Sequence, residues 1–357
     1  MLQSCPKSNE LTGAKFWYWN LADAESQRWN LFEEISLDLV ERSKDIATIA
    51  KALLGDKESL PADHKCFWER DLAWLEGILW ILIETEPSPK PSQILSMLFQ
   101  RREVEVRFSF FKPDVKKICK NLFSDYFEIS ETDFYKATFV LRNKLRFFDE
   151  PHISKICDGH SDFLLKELNS SNLRVLLLVG QPESEGETGK QMGQLIAGMF
   201  TNVMLRRYTS SIKSQPIAFI ADEAHTLKET VNFEKSEALL READVGIFIC
   251  TQSINQFNTR EQPDQGSRIA GLCATKIALP GVDIETAKWL SDNFGDRLDP
   301  GIDIGREFGG HRYGVEGGKR TPILSVREIR ERPPHLEKTA IAQTRYGTST
   351  KPFLVKY

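Results

Sequence analysis

The stretch "IAFIADEAH" (Ile217–His225) carries the strongest chemical signal in the sequence and indicates the class of fold. Its apolar first half leads directly into two acidic residues, Asp222 and Glu223. Continuous apolar runs of this length are typical of strands buried in a parallel sheet, and such sheets bind ligands at the carboxyl ends of their strands. The pattern therefore predicts two carboxylates at a binding edge. A strand that ends in an acidic turn without any binding role would show the same sequence pattern.

Further apolar runs on both sides of this stretch alternate with helical patterns. Strands are predicted at Leu173–Val179, Val245–Thr251 and Ala274–Pro280, and a helix at Lys190–Thr209. Alternation of this kind predicts βαβ units and a mostly parallel sheet with helices on its faces. The fold class is therefore α/β. Cys250 ends one of these runs, which predicts a buried thiol.

The first part of the chain has a different pattern. Residues Lys15–Trp19 are predicted to form a strand, and the region that follows is helical in its periodicity. Apolar residues recur at helical spacing in Asp38–Gly55, where Gly55 predicts the end of the helix, and again in Phe67–Glu84. The tryptophans of the second helix are expected to pack in a core. An all-helical region is thus predicted to precede the α/β region.

The overall composition excludes some classes of protein. The chain has 357 residues, of which 47 are basic and 51 acidic, so its net charge of −4 gives no general case for nucleic-acid binding. A local basic surface is still compatible with this balance. The cysteines are scattered, which predicts reduced thiols and a cytoplasmic location. No run of about 18 apolar residues occurs, so we expect no transmembrane segment in these residues.

The acidic pair fits the Walker B pattern of nucleoside triphosphatases. Asp222 is predicted to hold Mg²⁺, directly or through water, and Glu223 to polarise a water molecule beside a γ-phosphate. Gln252 follows the next predicted strand, where an amide can sense that phosphate. The three residues together predict the hydrolytic half of an ATP site.

No stretch of the sequence matches the Walker A pattern of a phosphate-binding loop. This loop requires the pattern G-x-x-x-x-G-K-[ST]. Gly189-Lys190 is followed by Gln191, and Ser184 occupies the position of the first glycine. The loop also carries three glutamates, which would repel a triphosphate. A self-sufficient NTPase that uses Lys190 remains an alternative, which the Lys190→Ala substitution would test.

The order of several motifs resembles that of the type IV coupling proteins, the TraD/TraG family of conjugation and type IV secretion ATPases. The motifs are "SQPIAFIADEAHTL" (Ser214–Leu227), "IFICTQSINQF" (Ile247–Phe257), "IAGLCATKIALPGVDIETAKWLSDNFG" (Ile269–Gly295) and "PILSVREIRERPP" (Pro322–Pro334). "RWNLFEEI" (Arg28–Ile35), which precedes the helical region, is similar to the family's entry into an all-α domain.

This resemblance implies a RecA-like P-loop NTPase core interrupted by an inserted all-α domain. Residues 1–35 would be a remnant of the N-terminal half of the nucleotide-binding domain, residues 36–147 the all-α domain, and residues 148–357 the C-terminal half of the core. Members of the family are homo-hexameric rings at the inner membrane. They use ATP and Mg²⁺ to move single-stranded DNA with its relaxase towards the type IV secretion channel. The chain is expected to be an N-terminally truncated or split form of such a protein, cytoplasmic or peripheral to that membrane.

Further site residues follow from the resemblance. The family carries an arginine that acts across subunits three residues before the equivalent of Gly246. That position is Ala243 here, so the nearby Arg241 is the candidate. Candidate DNA contacts are the basic residues of the helical region, for which solvated helix faces are the simpler explanation. They are Arg101, Arg102, Lys116, Lys117 and Lys120.

Two functions follow from this pattern. The first is a coupling-protein ATPase that drives single-stranded DNA and docks the relaxosome to the secretion system. The second is a non-catalytic docking module that keeps the family's cargo-recognition surface, which the resemblance places near Ile269–Gly295. ATP turnover on single-stranded DNA would separate the two.

Overall fold

A computed structural model describes most of the chain. The described residues are 14–55, 65–124, 126–170, 174–180, 186–210, 215–228, 230–299, 319–331, 338–345 and 351–356. Within them the chain divides into two compact units. The first unit comprises residues up to 219 together with 226–247, and the second comprises 220–225 together with 248–357.

Helices predominate in the first part of the chain and alternate with strands in the second. The elements up to residue 210 are β1 (Lys15–Asn20), α1 (Leu31–Glu34), α2 (Leu39–Leu54), α3 (Lys65–Thr85), α4 (Pro91–Phe99), α5 (Arg101–Ser109), α6 (Pro113–Cys119), α7 (Glu131–Leu145), α8 (Pro151–Cys157), β2 (Val175–Gly180) and α9 (Gly186–Ser210). The later elements are β3 (Ile217–Ala221), α10 (Phe233–Glu242), β4 (Val245–Ile249), α11 (Gln265–Leu272), β5 (Thr275–Ala278), α12 (Ile284–Phe294), β6 (Asp296–Asp299), β7 (Lys319–Pro322), α13 (Val326–Arg330), β8 (Thr339–Thr344) and β9 (Phe353–Lys356).

Helix α2 is capped at its start by Asp38 and ends at the predicted glycine. The carboxylate of Asp38 accepts hydrogen bonds from the N–H groups of Val40 and Glu41, both at 3.0 Å, and so caps the first turn. Gly55 follows the last turn with φ of +75°, a backbone conformation that costs glycine little. The prediction of a helix that stops at Gly55 is confirmed.

Helix α3 forms the centre of an aromatic core. Trp74 packs edge-to-face against Tyr126, with ring centroids 5.2 Å apart, and lies 6.2 Å from Phe134. One turn further on, Gly77 lets Phe123 approach so closely that an added Cβ would lie 2.4 Å from its ring. The expectation that the α3 tryptophans pack in a core is confirmed for Trp74 and for Trp80, which is 1% exposed.

The strands form both parallel and antiparallel pairs. Strand β1 pairs in parallel with β2, from Lys15 beside Val175 to Asn20 beside Gly180. Strands β3 and β4 also pair with each other. The N–H of Ile217 bonds to the carbonyl of Asp244, and that of Cys250 bonds to the carbonyl of Ala221. Because the first bond joins the strand starts and the second their ends, β3 and β4 run in parallel.

Strand β5 forms at its predicted place but pairs antiparallel with β8, which in turn pairs antiparallel with β9. Strands β6 and β7 are antiparallel as well. An apolar run predicts a buried strand without specifying its neighbour, and here the neighbour is a later segment that returns along β5.

Each unit has its own apolar core. The core of the first unit is built from α2, α3, α4, α7 and α9 with β1 and β2. The second unit has a smaller core of Ala278, Ala287, Leu290, Phe294, Ile329 and Ile341. The domain boundaries predicted at residues 35 and 147 both lie inside the first unit. The division of the chain into three domains at these positions stays a prediction.

Candidate functional site

The carboxyl ends of β3 and β4 lie side by side in the second unit. The N–H of Cys250 donates to the carbonyl of Ala221 at 2.9 Å, and the N–H of Ala224 donates to the carbonyl of Cys250 at 3.0 Å. These two bonds fix the register just beyond both strands. The residues that follow the strands therefore emerge at one edge of the sheet, where ligands of parallel sheets bind.

Three predicted site residues meet at this edge. The amide Nε2 of Gln252 donates a hydrogen bond to Oε1 of Glu223 at 2.8 Å. The N–H of Glu223 in turn donates to Oδ1 of Asp222 at 3.0 Å. All three residues are exposed at the surface of their unit. The structure therefore brings Asp222, Glu223 and Gln252 together, while their chemical roles stay predictions.

The backbone of Glu223 adopts a left-handed conformation, with φ of +47°. A non-glycine residue in this region costs about 1–2 kcal/mol relative to the right-handed conformation. Such conformations concentrate at functional sites, where the surroundings hold them in place. Here the bonds of Ala221 and Ala224 to Cys250 hold the turn on both sides. The strained turn directs the Glu223 carboxylate towards Gln252.

A hydrogen-bonded turn positions Gln252 from its other side. The hydroxyl of Thr251 donates to Oε1 of Gln256 at 2.7 Å and also to the carbonyl of Ser253 at 2.9 Å. The N–H of Ser253 donates to the same Gln256 oxygen at 3.1 Å. Gln252 thus lies between two residues whose polar groups are fixed by Gln256, a role that sequence reasoning missed.

Helix α12 anchors this turn. The N–H of Ile254 donates to the hydroxyl oxygen of Thr286 at 3.2 Å, and Thr286 bonds to Asp283, the residue that caps α12. Partial burial raises the pKa of Asp283, but hydrogen bonds from Thr286, Ser253 and Glu285 together hold the pKa below its usual value. The Asp-x-x-Thr spacing is a capping signal that was visible in the sequence.

The acidic edge suits Mg²⁺ in its chemistry. The described part of the chain holds no cluster of three or more His, Cys, Asp or Glu side chains that would enclose a metal ion. Mg²⁺ prefers oxygen ligands and is commonly held by one or two carboxylates together with water and substrate phosphates. An exposed Asp222 beside Glu223 fits this kind of open site and does not fit a closed metal cage.

The Gly189-Lys190 pair lies at the start of α9. Lys190 is half-buried, and Gln191, which stands where a Walker A loop has its Mg²⁺-binding hydroxyl, is only 3% exposed. The amide of Gln191 lies close to Gly55 at the end of α2. This side of the helix start is therefore occupied by packing within the first unit. The loop residues 181–185 lie outside the described residues.

The candidate for the trans-acting arginine is exposed. Arg241 lies in the last turn of α10, in the first unit. Ala243, at the position where the family is expected to carry arginine, is 5% exposed and belongs to the core of that unit. A guanidinium at residue 243 would have to leave this core, so Arg241 remains the candidate.

Arg101 is held within the helical region. Its guanidinium donates to the carbonyls of Ile129 and Phe127, the latter at 2.5 Å, and lies over the ring of Phe134 at 5.9 Å. It also bonds to Glu105 at 3.2 Å. These contacts tie the chain before α7 to α5, which gives Arg101 a structural role whether or not it also contacts DNA.

The other basic candidates are more accessible. Arg102, Lys116, Lys117 and Lys120 are all exposed. The ammonium of Lys116 lies 5.5 Å from the centre of the Phe108 ring, so its stem covers part of the aromatic core. Lys117 and Lys120 project from α6 and its C-terminal end. These lysines form the most accessible cationic group among the five predicted residues.

Solved structures with a similar fold support the predicted fold class. An unbound bacterial conjugative coupling protein, TrwBΔN70, is similar with a TM-score of 0.62 at 14% identity, over 96% of this chain and 73% of that chain. TrwB in complex with the non-hydrolysable GTP analogue GDPNP matches with a TM-score of 0.59 at 15% identity over the same shares. TrwB in complex with ADP and Mg²⁺ matches with 0.57 at 14%. The predicted fold class, a RecA-like NTPase core interrupted by an all-α domain, is confirmed.

The family follows from the sequence itself. The model of the family described as type IV secretory system conjugative DNA transfer matches residues 2–297, so the chain belongs to this family. The expected relationship to the conjugative coupling proteins is confirmed. No curated protein matches the sequence significantly. In the described part of the chain, no helix combines the length and hydropathy that a membrane crossing requires.

Proposed function

We propose that this chain is the hydrolytic part of an ATP-driven coupling protein, which moves single-stranded DNA and docks the relaxosome to a type IV secretion system. The single observation that carries the proposal is the 2.8 Å hydrogen bond between Gln252 and Glu223 at the tips of two parallel strands. A carboxylate that is hydrogen-bonded to an amide at this edge suits a site that detects and hydrolyses a terminal phosphate.

Each residue has a definite task in this proposal. Asp222 would hold Mg²⁺, which would supply positive charge to neutralise the phosphate oxygens. Glu223 would accept a hydrogen bond from the attacking water and orient it. Gln252 exchanges its bond to Glu223 for one to the γ-phosphate and so links nucleotide state to the turn that follows it. Arg241 is proposed to reach the site of a neighbouring subunit in a homo-hexamer.

The proposed work of the motor is the movement of DNA with its relaxase. Lysines on α6 and Arg102 are proposed to contact the phosphates of single-stranded DNA, a contribution that weakens as salt rises. The relaxosome and the secretion channel are the proposed protein partners. The proposed location is the cytoplasmic side of the inner membrane.

ATP turnover by the purified chain, with and without single-stranded DNA, tests the proposal. Replacing Glu223 by Gln keeps its size and removes its ability to orient water as a base, so turnover should fall about 100-fold or more. Glu261→Gln, which alters another exposed glutamate of the same unit, is the matched control and should keep full turnover. Equal turnover by the two variants would refute the assigned role of Glu223.

A docking module without hydrolysis is the second proposal. The observation that favours it is the missing G-x-x-x-x-G-K-[ST] pattern in the 357 residues. It predicts relaxosome binding with no turnover under any condition. Substitutions on the exposed side of α12, such as Glu285→Lys, should then weaken relaxosome binding, whereas Glu223→Gln should leave it unchanged.

A further inference from the structure

A groove lies between α3 and α7 in the first unit. The ring centroids of Trp74 and Phe134 are 6.2 Å apart. Earlier in α3 and later in α7, Arg70 donates a hydrogen bond to the carbonyl of Ala137 at 3.0 Å, so the two helices run antiparallel. This α3–α7 groove has a volume of about 680 Å³, and ligand pockets in proteins commonly measure about 300–1,000 Å³. Its lining residues all belong to the first unit, whereas the acidic edge belongs to the second.

Aromatic and aliphatic side chains form much of the groove wall. Phe67, Trp68 and Trp74 line it from α3, and Val140 lines it from α7. The indole N–H of Trp68 donates to the carbonyl of Gly55 at 3.2 Å, which holds the ring in place. Phe67 is 50% exposed and Val140 is 51% exposed. A flat apolar ring that entered the groove would therefore remove apolar surface from water and could stack on an aromatic side chain.

A buried carboxylate lies among these aromatic rings. Asp71 lines the groove and is only 5% exposed. The guanidinium of Arg70 donates twice to Oδ1 of Asp71, from Nε at 3.2 Å and from Nη2 at 2.9 Å. Among the described residues, no group donates a hydrogen bond to Oδ2 of Asp71. Buried acceptors are ordinarily hydrogen-bonded, so this oxygen suits a donor supplied by a ligand.

Cationic side chains line the same groove. Lys136 and Lys144 lie four residues on either side of Val140, so the three side chains share one face of α7. The ammonium of Lys136 is 3.7 Å from Asp133 and its side chain is 75% exposed, which leaves donors for a ligand. Together with Arg70, three cations and two carboxylates line the groove, so its net charge is +1. This balance favours a ligand that carries an anionic group.

One ligand chemistry meets all of these features. A nucleotide with an amino group on its base supplies a donor for Asp71, a flat ring for the aromatic wall and a phosphate for the lysines. Proteins recognise unpaired bases in this way, by stacking and by hydrogen bonds to the base edge. A nucleic-acid strand fits the groove less well. Glu128 and Glu131 flank the lining residue Ile129, and these exposed carboxylates would repel further phosphates at that end.

We propose that the α3–α7 groove binds a free mononucleotide whose base carries an exocyclic amino group. The amino group donates to Oδ2 of Asp71, the base stacks on Phe67 and Trp68, and the phosphate binds to Lys136 and Lys144. This site goes beyond the proposed ATPase function, because its residues belong to the other unit and it requires no metal ion.

AMP and purine riboside 5′-monophosphate are the matched probes, because they differ only in the amino group of the base. Isothermal titration calorimetry of the full chain measures both dissociation constants, with EDTA present to prevent Mg²⁺-dependent binding at the acidic edge. AMP should bind about tenfold more tightly than the analogue, because AMP alone can donate to the buried carboxylate.

Variants of the lining residues locate the contact. Asp71→Asn should weaken AMP binding about tenfold and leave binding of the analogue unchanged, because the amide nitrogen cannot accept a hydrogen bond. The amide oxygen can still accept from Arg70, and circular dichroism checks the fold. Lys136→Ala should weaken both ligands alike, because both carry the phosphate. Phe110→Ala is the control for Phe67→Ala, since Phe110 is 78% exposed on α5 and does not line the groove.

The wild-type titrations are decisive even if a variant fails to fold. If AMP does not bind, or binds no more tightly than the analogue, the inference is wrong. It is also wrong if Asp71→Asn weakens both ligands equally, since the carboxylate would then serve the fold and not the amino group. If an oligo-dA strand binds more tightly than AMP and displaces it, the groove takes single-stranded DNA and the assignment to a free mononucleotide is overturned.

Discussion

Helix α3 and strand β4 contain apolar runs with opposite surroundings. From Ile78 to Leu82 in α3, no side chain is more than 1% exposed, whereas Phe248 in β4 is 57% exposed. The helix is surrounded by aromatic and aliphatic neighbours from its own unit. The strand is covered on one side only. Apolar runs therefore lie in a closed core in the helical region, whereas beside the acidic edge part of such a run is exposed.

The largest expected contrast between the two regions is in thiol reactivity. Burial, reinforced by the nearby Glu84 and Glu76 carboxylates, raises the pKa of Cys119 to about 12. An ordinary thiol has a pKa near 8.5, so at pH 8 the thiolate fraction of Cys119 falls about 1000-fold. In the native protein the exposed Cys250 should react and Cys119 should not.

The pH dependence has a definite sign. The rate at Cys119 should stay negligible as pH rises from 7 to 10, because its thiol is still protonated there. In urea the same thiol should react like an ordinary one. Mass spectrometry of alkylated peptides measures both rates, and fast native labelling of Cys119 would show that the helical core is open.

The next largest effect is expected for Trp74→Ala. The substitution removes a 2% exposed indole that packs on Tyr126 and Phe134. Phe or Trp to Ala changes in cores cost about 3–5 kcal/mol in the free energy of unfolding. Urea denaturation measures the loss, and Phe110→Ala is the exposed aromatic control. A loss below 1 kcal/mol would contradict a closely packed core around α3.

A smaller loss is expected for Gly266→Ala in α11. An added Cβ would lie 1.8 Å from the backbone carbonyl oxygen of Ile254, in the turn that follows Gln252. Overpacking of this kind costs about 1–3 kcal/mol. Gly271→Ala in the same helix is the control, because nothing lies within 4 Å of its added Cβ. Thermal unfolding of both variants should show a loss for the first alone.

The smallest effect is expected for Phe248→Ala in the chain alone. Substitutions of exposed side chains ordinarily change the free energy of unfolding by no more than about 0.5 kcal/mol. Urea denaturation of this variant and of Trp74→Ala gives the two losses in the free energy of unfolding on the same scale. A loss above 2 kcal/mol would mean that the Phe248 side chain is covered within the chain and would contradict its exposure.

Local signals predicted the elements but not their partners. Apolar residues at helical spacing and the glycine at residue 55 predicted α2, because both signals act within the helix itself. The apolar run before Asp222 likewise predicted β3, and the sequence assigned Glu223 and Gln252 to one site, where the structure joins them by a hydrogen bond. Each of these inferences depends on neighbours in sequence or on the general rule for parallel strand ends.

The inferences that were wrong or incomplete depend on distant neighbours. Cys250 was predicted to be buried, and it is exposed because the face on which it lies is uncovered. Strand β5 was expected in a parallel sheet, and its neighbour β8 arrives from the opposite direction. Arg101 was selected for its charge alone, but it bonds to the carbonyls of Phe127 and Ile129. No local pattern specifies such contacts.

The most direct test of the proposed function is the frequency of conjugative DNA transfer from donor cells in which a variant replaces this gene. With Glu223→Gln the frequency should fall about 100-fold or more, in proportion to the lost turnover. Glu261→Gln should transfer at the wild-type frequency, and immunoblots should show equal amounts of both proteins. Unchanged transfer by Glu223→Gln would contradict the claim that the acidic edge of β3 and β4 powers DNA movement.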